Sequence, residues 1–181
     1  MTRTLPIGLQ QSFVADWFGQ PPRHRAHFCL KLQSGLLHYQ FQVEKSAEFD
    51  TRHQPGDFIE GLWERDVAEL FLMGPGGHYH EFNLSPSGAW WCASFSGYRQ
   101  RIQAQPCPSA RVSSRVEPDV WSASLTVDLH DIPCLEGKGL EQARLSVTSI
   151  LCPGQPEYLC SGHQSGGTPD FHLASTFLGV G

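Results

Sequence analysis

Residues 67–95 read VAELFLMGPGGHYHEFNLSPSGAWWCASF, and this stretch decides the fold. Three runs rich in apolar and aromatic residues, 67–73, 78–84 and 89–95, are separated by Gly74-Pro75-Gly76-Gly77 and Ser85-Pro86-Ser87-Gly88. Glycine reaches the positive φ that tight turns need, and proline presets φ at a turn's first corner. Short runs joined by such inserts predict an antiparallel three-strand meander. Outward from it the same punctuation recurs, with strands expected at 24–32, 36–43, 110–117, 120–129, 143–152 and 157–161. Pro106, Pro108, Pro118, Pro133, Pro153, Pro156 and Pro169 fall between or at the ends of these runs, where no ladder donor is required. One helical turn is expected at 135–142, weakened by Gly137 and Gly139. The pattern predicts an all-β fold, a jelly-roll-like antiparallel β-sandwich of about nine or more strands. With no internal repeat and no linker, residues 1–181 are read as a single domain.

Composition narrows the function. The chain has 40% hydrophobic and 17% charged residues, with 18 Gly and 13 Pro, which excludes collagen, coiled coil and wholesale disorder. A formal net charge of −5 and scattered basic residues exclude a phosphate-backbone footprint, so nucleic acid is not expected as a partner. No run of about 18 apolar residues occurs and residues 1–20 do not resemble a signal peptide, so neither membrane insertion nor export is expected and the cytoplasm is the predicted location. The six cysteines are accordingly read as thiols rather than disulfides, and none is spaced CxxC. Phosphate-loop, dinucleotide-binding, zinc-protease and nucleophile-elbow motifs are all lacking.

The candidate chemistry gathers in and around the meander. Trp63, Trp90, Trp91, Tyr79 and Tyr98 offer flat apolar surface, and Glu69, Glu81, Asn83 and Arg99 offer forked donors and acceptors. That mixture suits a saccharide, whose C–H faces stack on rings while its hydroxyls need paired polar groups. Register decides which of these meet. Closure with Met73 opposite His78 puts Glu69 on the face of His80, Phe82 and Trp91, and a shifted closure puts it beside Glu81 and Asn83. Two alternatives stay open. Asp66, Glu69 and Glu81 could supply the carboxylate pair of a small glycoside hydrolase, and His78 with His80, two apart on a strand, could contribute to a metal site.

Several segments resemble a known family. Leu62-Trp63-Glu64-Arg65-Asp66-Val67-Ala68-Glu69-Leu70-Phe71-Leu72 is similar to a segment of family 9 carbohydrate-binding modules and the wider DOMON-like superfamily. Residues 79–88, YHEFNLSPSG, resemble the hairpin that follows it, and Pro169-Asp170-Phe171-His172 with Phe177 resembles the ending of bacterial members. The resemblance implies a non-catalytic sandwich that binds a carbohydrate or another small polar ligand. It implies a wall from Trp63, hydroxyl acceptance by Glu69, further contacts from Glu81 and Asn83, and a second aromatic such as Trp91, with His172 in the terminal loop. In residues 158–163, YLCSGH, Cys160 stands where relatives often carry Trp. No cofactor is required by this reading. The resemblance also brings in calcium in some relatives, and haem held by Met and His in others, for which Met73 and His172 are the residues available, Met1 being the one other methionine. A scaffold for a protein partner is the remaining alternative.

Overall fold

In a computed structural model of the chain, residues 4–152, 154–162 and 166–181 are described. Met1, Pro153 and His163 lie outside them. The elements are almost entirely strands: β1 (Thr4–Leu5), β2 (Gln10–Ser12), β3 (Ala26–Gln33), β4 (Leu36–Val43), β5 (Val67–Met73), β6 (Tyr79–Leu84) and β7 (Trp90–Phe95). They continue with β8 (Arg101–Gln103), β9 (Arg111–Glu117), β10 (Val120–Asp128), β11 (Arg144–Leu151), β12 (Glu157–Cys160) and β13 (Leu178–Val180). The helical turn expected at 135–142 is two separate 3-10 turns, Pro133–Leu135 and Leu140–Gln142, because Gly137 takes φ +75° between them. No helix among the described residues is long and apolar enough to cross a membrane.

Two sheets form a sandwich. One has the order β2-β3-β4-β10-β9; the other, eight-stranded, runs β1-β13-β11-β5-β6-β7-β8, with β12 beside β13 on the edge of β11. The meander is β5-β6-β7, antiparallel throughout, as its turn sequences predict. Alternate residues of both sheets meet between them: Phe28, Leu30, Tyr39 and Phe41 from one side, Leu70, Leu72, Phe82 and Leu84 from the other, all nearly inaccessible to water. Burial of that apolar area is the dominant stabilising term.

The two turns fix the meander's register. Gly74 donates to the His78 carbonyl at 2.9 Å, so closure is at Met73 opposite Tyr79, one residue beyond the His78 closure. Gly74 is also irreplaceable for packing, since an added Cβ would lie 1.7 Å from the Cys134 carbonyl oxygen. Gly88, at φ +86°, closes the second turn against Pro55. His78 therefore lies exposed in the turn, while His80 is buried on the core side with Nδ1 2.9 Å from Ser94 Oγ. The two histidines do not form a pair, and among the described residues no group of three or more His, Cys, Asp or Glu side chains could hold a metal ion.

The outer side of the eight-stranded sheet is covered by a second layer. Val67, Phe71, Met73, Tyr79, Trp91 and Phe95 pack there against Trp17, Leu62, Phe171 and Phe177, contributed by the chain's N-terminal segment, the 44–66 loop and the C-terminal segment. The loop is anchored through Asp66, wholly buried, whose Oδ2 lies 2.5 Å from Lys45 Nζ and accepts the Glu48 N–H at 2.9 Å while Oδ1 accepts the Cys152 N–H at 2.7 Å. Asp66 is thereby a structural tether, unavailable as a hydrolytic partner for Glu69.

Candidate ligand cleft over the eight-stranded sheet

Because Met73 opposes Tyr79, Glu69 lies directly across from Asn83, and Asn83 across from Trp91. Side chains two apart on a strand share a face. Glu69, Glu81, Asn83 and Trp91 are thus on the outer face together, and Trp90 is turned inward against Phe58. Of the two registers that the sequence leaves open, the shifted one is adopted.

The covering layer does not close over this patch. A cleft of about 560 Å³ remains, with Glu69, Glu81 and Phe71 beneath it and Trp63, Trp91, Tyr158, Phe171 and His172 around it. Trp63 is placed by the 44–66 loop. Residues 57–59 bond to β7 through Trp90 N–H to the Asp57 carbonyl (2.9 Å) and Ile59 N–H to the Trp90 carbonyl (3.0 Å). Gly61, at φ +92°, then starts the 3-10 turn Leu62–Glu64 that lifts Trp63 above Trp91, ring centroids 5.5 Å apart and 69° between planes. Trp63 is 37% exposed and Trp91 only 3%, so Trp63 is the free wall and Trp91 a backing ring also covered by the Arg101 guanidinium.

The opposite wall was not legible in the sequence. Cys160 is buried with Sγ 3.7 Å from Ser146 Oγ and supplies no wall. Tyr158 of β12 and Phe171 of the C-terminal segment stand there instead, their centroids 6.3 Å apart. Asp170 holds that segment down by accepting from Tyr98 Oη at 2.5 Å and from Arg99 Nη2 at 2.9 Å. Of the other candidate aromatics, Tyr79 is stacked on Phe95 at 4.6 Å with Oη 2.8 Å from His172 Nδ1, beneath the cleft rather than in it.

The carboxyls are set in a dry environment. Glu69 is 3% exposed and its Oε2 accepts from Thr148 Oγ1 at 2.6 Å. Burial pushes its carboxyl well above the ordinary glutamate range, and the nearby Glu81 charge adds to the rise. Glu81 is raised for the same first reason, opposed by the Asn83 Nδ2 donor at 2.8 Å and by Arg99 and Arg101. Asn83 does not line the cleft; it braces Glu81, and its Oδ1 is buried with no hydrogen-bond partner among the described residues. His172 has Nε2 3.9 Å from Glu81 Oε2, and burial lowers its pKa to about 4, so it stands neutral. The two side chains available to a haem are otherwise engaged: Met73 Sδ accepts from Arg144 Nη2 at 2.9 Å, and His172 bonds Tyr79.

No family model and no curated protein sequence matches the chain. Solved structures do. A proposed carbohydrate-binding protein of Bacteroides uniformis aligns with TM-score 0.76 and 15% identity over 93% of this chain and 84% of its own. A family 9 carbohydrate-binding module of Caldicellulosiruptor kristjanssonii aligns over 83% of this chain, with TM-score 0.53, 8% identity and 73% of its own chain in its glucose complex. Its cellotriose complex gives TM-score 0.51, 9% identity and 71% of that chain. These likenesses define the fold: a β-sandwich of the carbohydrate-binding-module kind.

Proposed function

We propose that this chain is a non-catalytic binding protein for a saccharide, held in the cleft between Trp63 and the Tyr158–Phe171 wall with Glu69 and Glu81 as hydroxyl partners. The observation that carries the reading is the pairing of aromatic walls with two buried carboxyls on one open patch of an otherwise covered sheet. Buried polar groups cost free energy unless partnered, and a ligand's hydroxyls are suitable partners. The solved neighbours with glucose and cellotriose bound support the same class. Membership of the wider DOMON-like superfamily belongs to this proposal, supported by the spacing from Trp63 to Glu69 and by the 79–88 hairpin.

Cleavage of a glycosidic bond needs a carboxyl acid and a free carboxylate partner, and Asp66, one of the three carboxyls that could serve, is tied to Lys45 and to two backbone N–H donors. The sugar-bound carbohydrate-binding modules among the solved neighbours further support binding rather than hydrolysis. The test is calorimetric titration of mono- and disaccharides against the wild type and Trp63→Ala. Binding to the wild type that weakens at least about tenfold in the variant is expected; no binding, or equal binding by both, rejects the site.

A further inference from the structure

Resting on the saccharide reading, we infer that the sugar is an amino sugar whose ammonium group sits on Glu69 and Glu81. Four carboxyls line the cleft, Glu60, Glu69, Glu81 and Asp170, against two guanidinium groups. Both guanidinium groups are engaged at the rim: Arg99 with Asp170 at 2.9 Å and Arg101 with Glu60 at 2.6 Å. Among the described residues, Glu69 and Glu81 therefore sit beneath the cleft without a cation of their own. The groups facing Glu69 are the Thr148 hydroxyl, the cross-strand Asn83 and Glu81 itself. Those facing Glu81 are the Asn83 amide, neutral His172, the more distant pull of the two rim arginines and the opposing charge of Glu60. Beside the pair, the Asn83 Oδ1 acceptor is buried and unpartnered among the described residues.

In their ionised form the two carboxyls are a surplus of acceptors with no positive charge of their own to balance them. A neutral sugar supplies hydroxyl donors but not the charge. An ammonium group supplies three N–H donors and the charge together, and charge-assisted hydrogen bonds are roughly twice as strong as neutral ones. The Trp63 face adds attraction for a cation, and the remaining ring carbons stack on the same walls. Burial favours the protonated form of this pair, so entry of the ammonium group displaces a proton: the ligand arrives as R–NH3+, one carboxyl gives its H+ to solvent, and the resulting ion pair is neutral.

Calorimetry with glucosamine, N-acetylglucosamine, glucose and the β-1,4-linked glucosamine dimer, each in two buffers of different ionisation enthalpy, tests this. Glucosamine binding at least tenfold tighter than glucose and N-acetylglucosamine, with proton release, is expected. In Glu69→Gln the ratio of glucosamine to glucose affinity falls at least fivefold and proton release is lost, whatever the loss of glucose affinity itself; Glu81→Gln serves as the second variant. Tighter binding of the dimer assigns the ammonium sugar to a chain, and equal binding assigns a free monosaccharide. Equal affinity for glucose and glucosamine overturns the amino-sugar assignment and leaves the saccharide reading intact. Failure of every sugar to bind overturns both.

Discussion

The two sheets turn unlike faces outward. On the five-stranded sheet, β10 alternates between buried and partly exposed along its whole length. Its outer row, His27, Gln42, Ser122 and Arg115 across four strands, is polar and open to water. On the eight-stranded sheet, β5, β6 and β7 are buried at every residue. An antiparallel sheet with one wet face shows the first pattern; the second requires another layer on the outside. Where that layer is missing, Glu69 and Glu81 remain. Polar groups on a wet face are ordinary, whereas carboxyls on a face otherwise sealed by aromatic rings are costly, which makes theirs the candidate site.

The difference can be broken first at the anchor of the covering layer. Asp66→Ala strands Lys45 uncompensated and releases two backbone donors, so urea unfolding is expected to show a loss of roughly 3–5 kcal/mol. A loss below about 1 kcal/mol would mean that the layer is not held there. Trp63→Ala is expected to leave stability nearly unchanged, since the ring is partly exposed, while weakening saccharide binding about tenfold, near 1.4 kcal/mol.

Proton linkage separates the faces more finely. Glu69 and Glu81 have folded pKa values raised above their unfolded ones, so the folded state binds the extra proton and stability falls as pH rises through this range. His80 and His172 act in the opposite sense: their folded pKa values lie at about 4, below the ordinary 6.5, so they cost stability as pH drops below 6.5. Between pH 6.5 and 8 the two carboxyls contribute no more than about 1.4 kcal/mol per pH unit each. Denaturation midpoints measured across that window should fall in the wild type and fall less in Glu69→Gln; parallel curves would place the Glu69 carboxyl in a wet environment. On the open face, Gln42→Ala should shift stability by less than about 0.5 kcal/mol and leave saccharide binding unchanged, checked by the same unfolding and titration.

The fold was legible where strands are long and turn chemistry is explicit. The runs 67–73 and 36–43 coincide with β5 and β4, and the other long strands differ by one or two residues at one or both ends. Four short strands escaped: β1, β2, β8 and β13 have two or three residues each, too few to show alternation, and β8 is exposed at every residue. The candidate cleft was legible as a composition: Trp63, Glu69, Glu81, Trp91 and His172 line it and Asn83 braces Glu81. What spacing alone did not settle was register, decided by the Gly74–His78 closure, and the second wall, since Tyr158 and Phe171 come from segments brought together only by the pairing of β12 with β11 and the bonds at Asp170.

The most direct measurement is thermal unfolding of the wild type, Trp63→Ala and Gln42→Ala against a saccharide panel that includes glucose and glucosamine, because a ligand that binds the native state raises stability by RT ln(1 + [L]/Kd). A stabilising sugar whose effect disappears in Trp63→Ala and persists in Gln42→Ala is the predicted result. A stabilisation kept by Trp63→Ala and lost in Gln42→Ala would move the ligand to the five-stranded sheet and contradict the account.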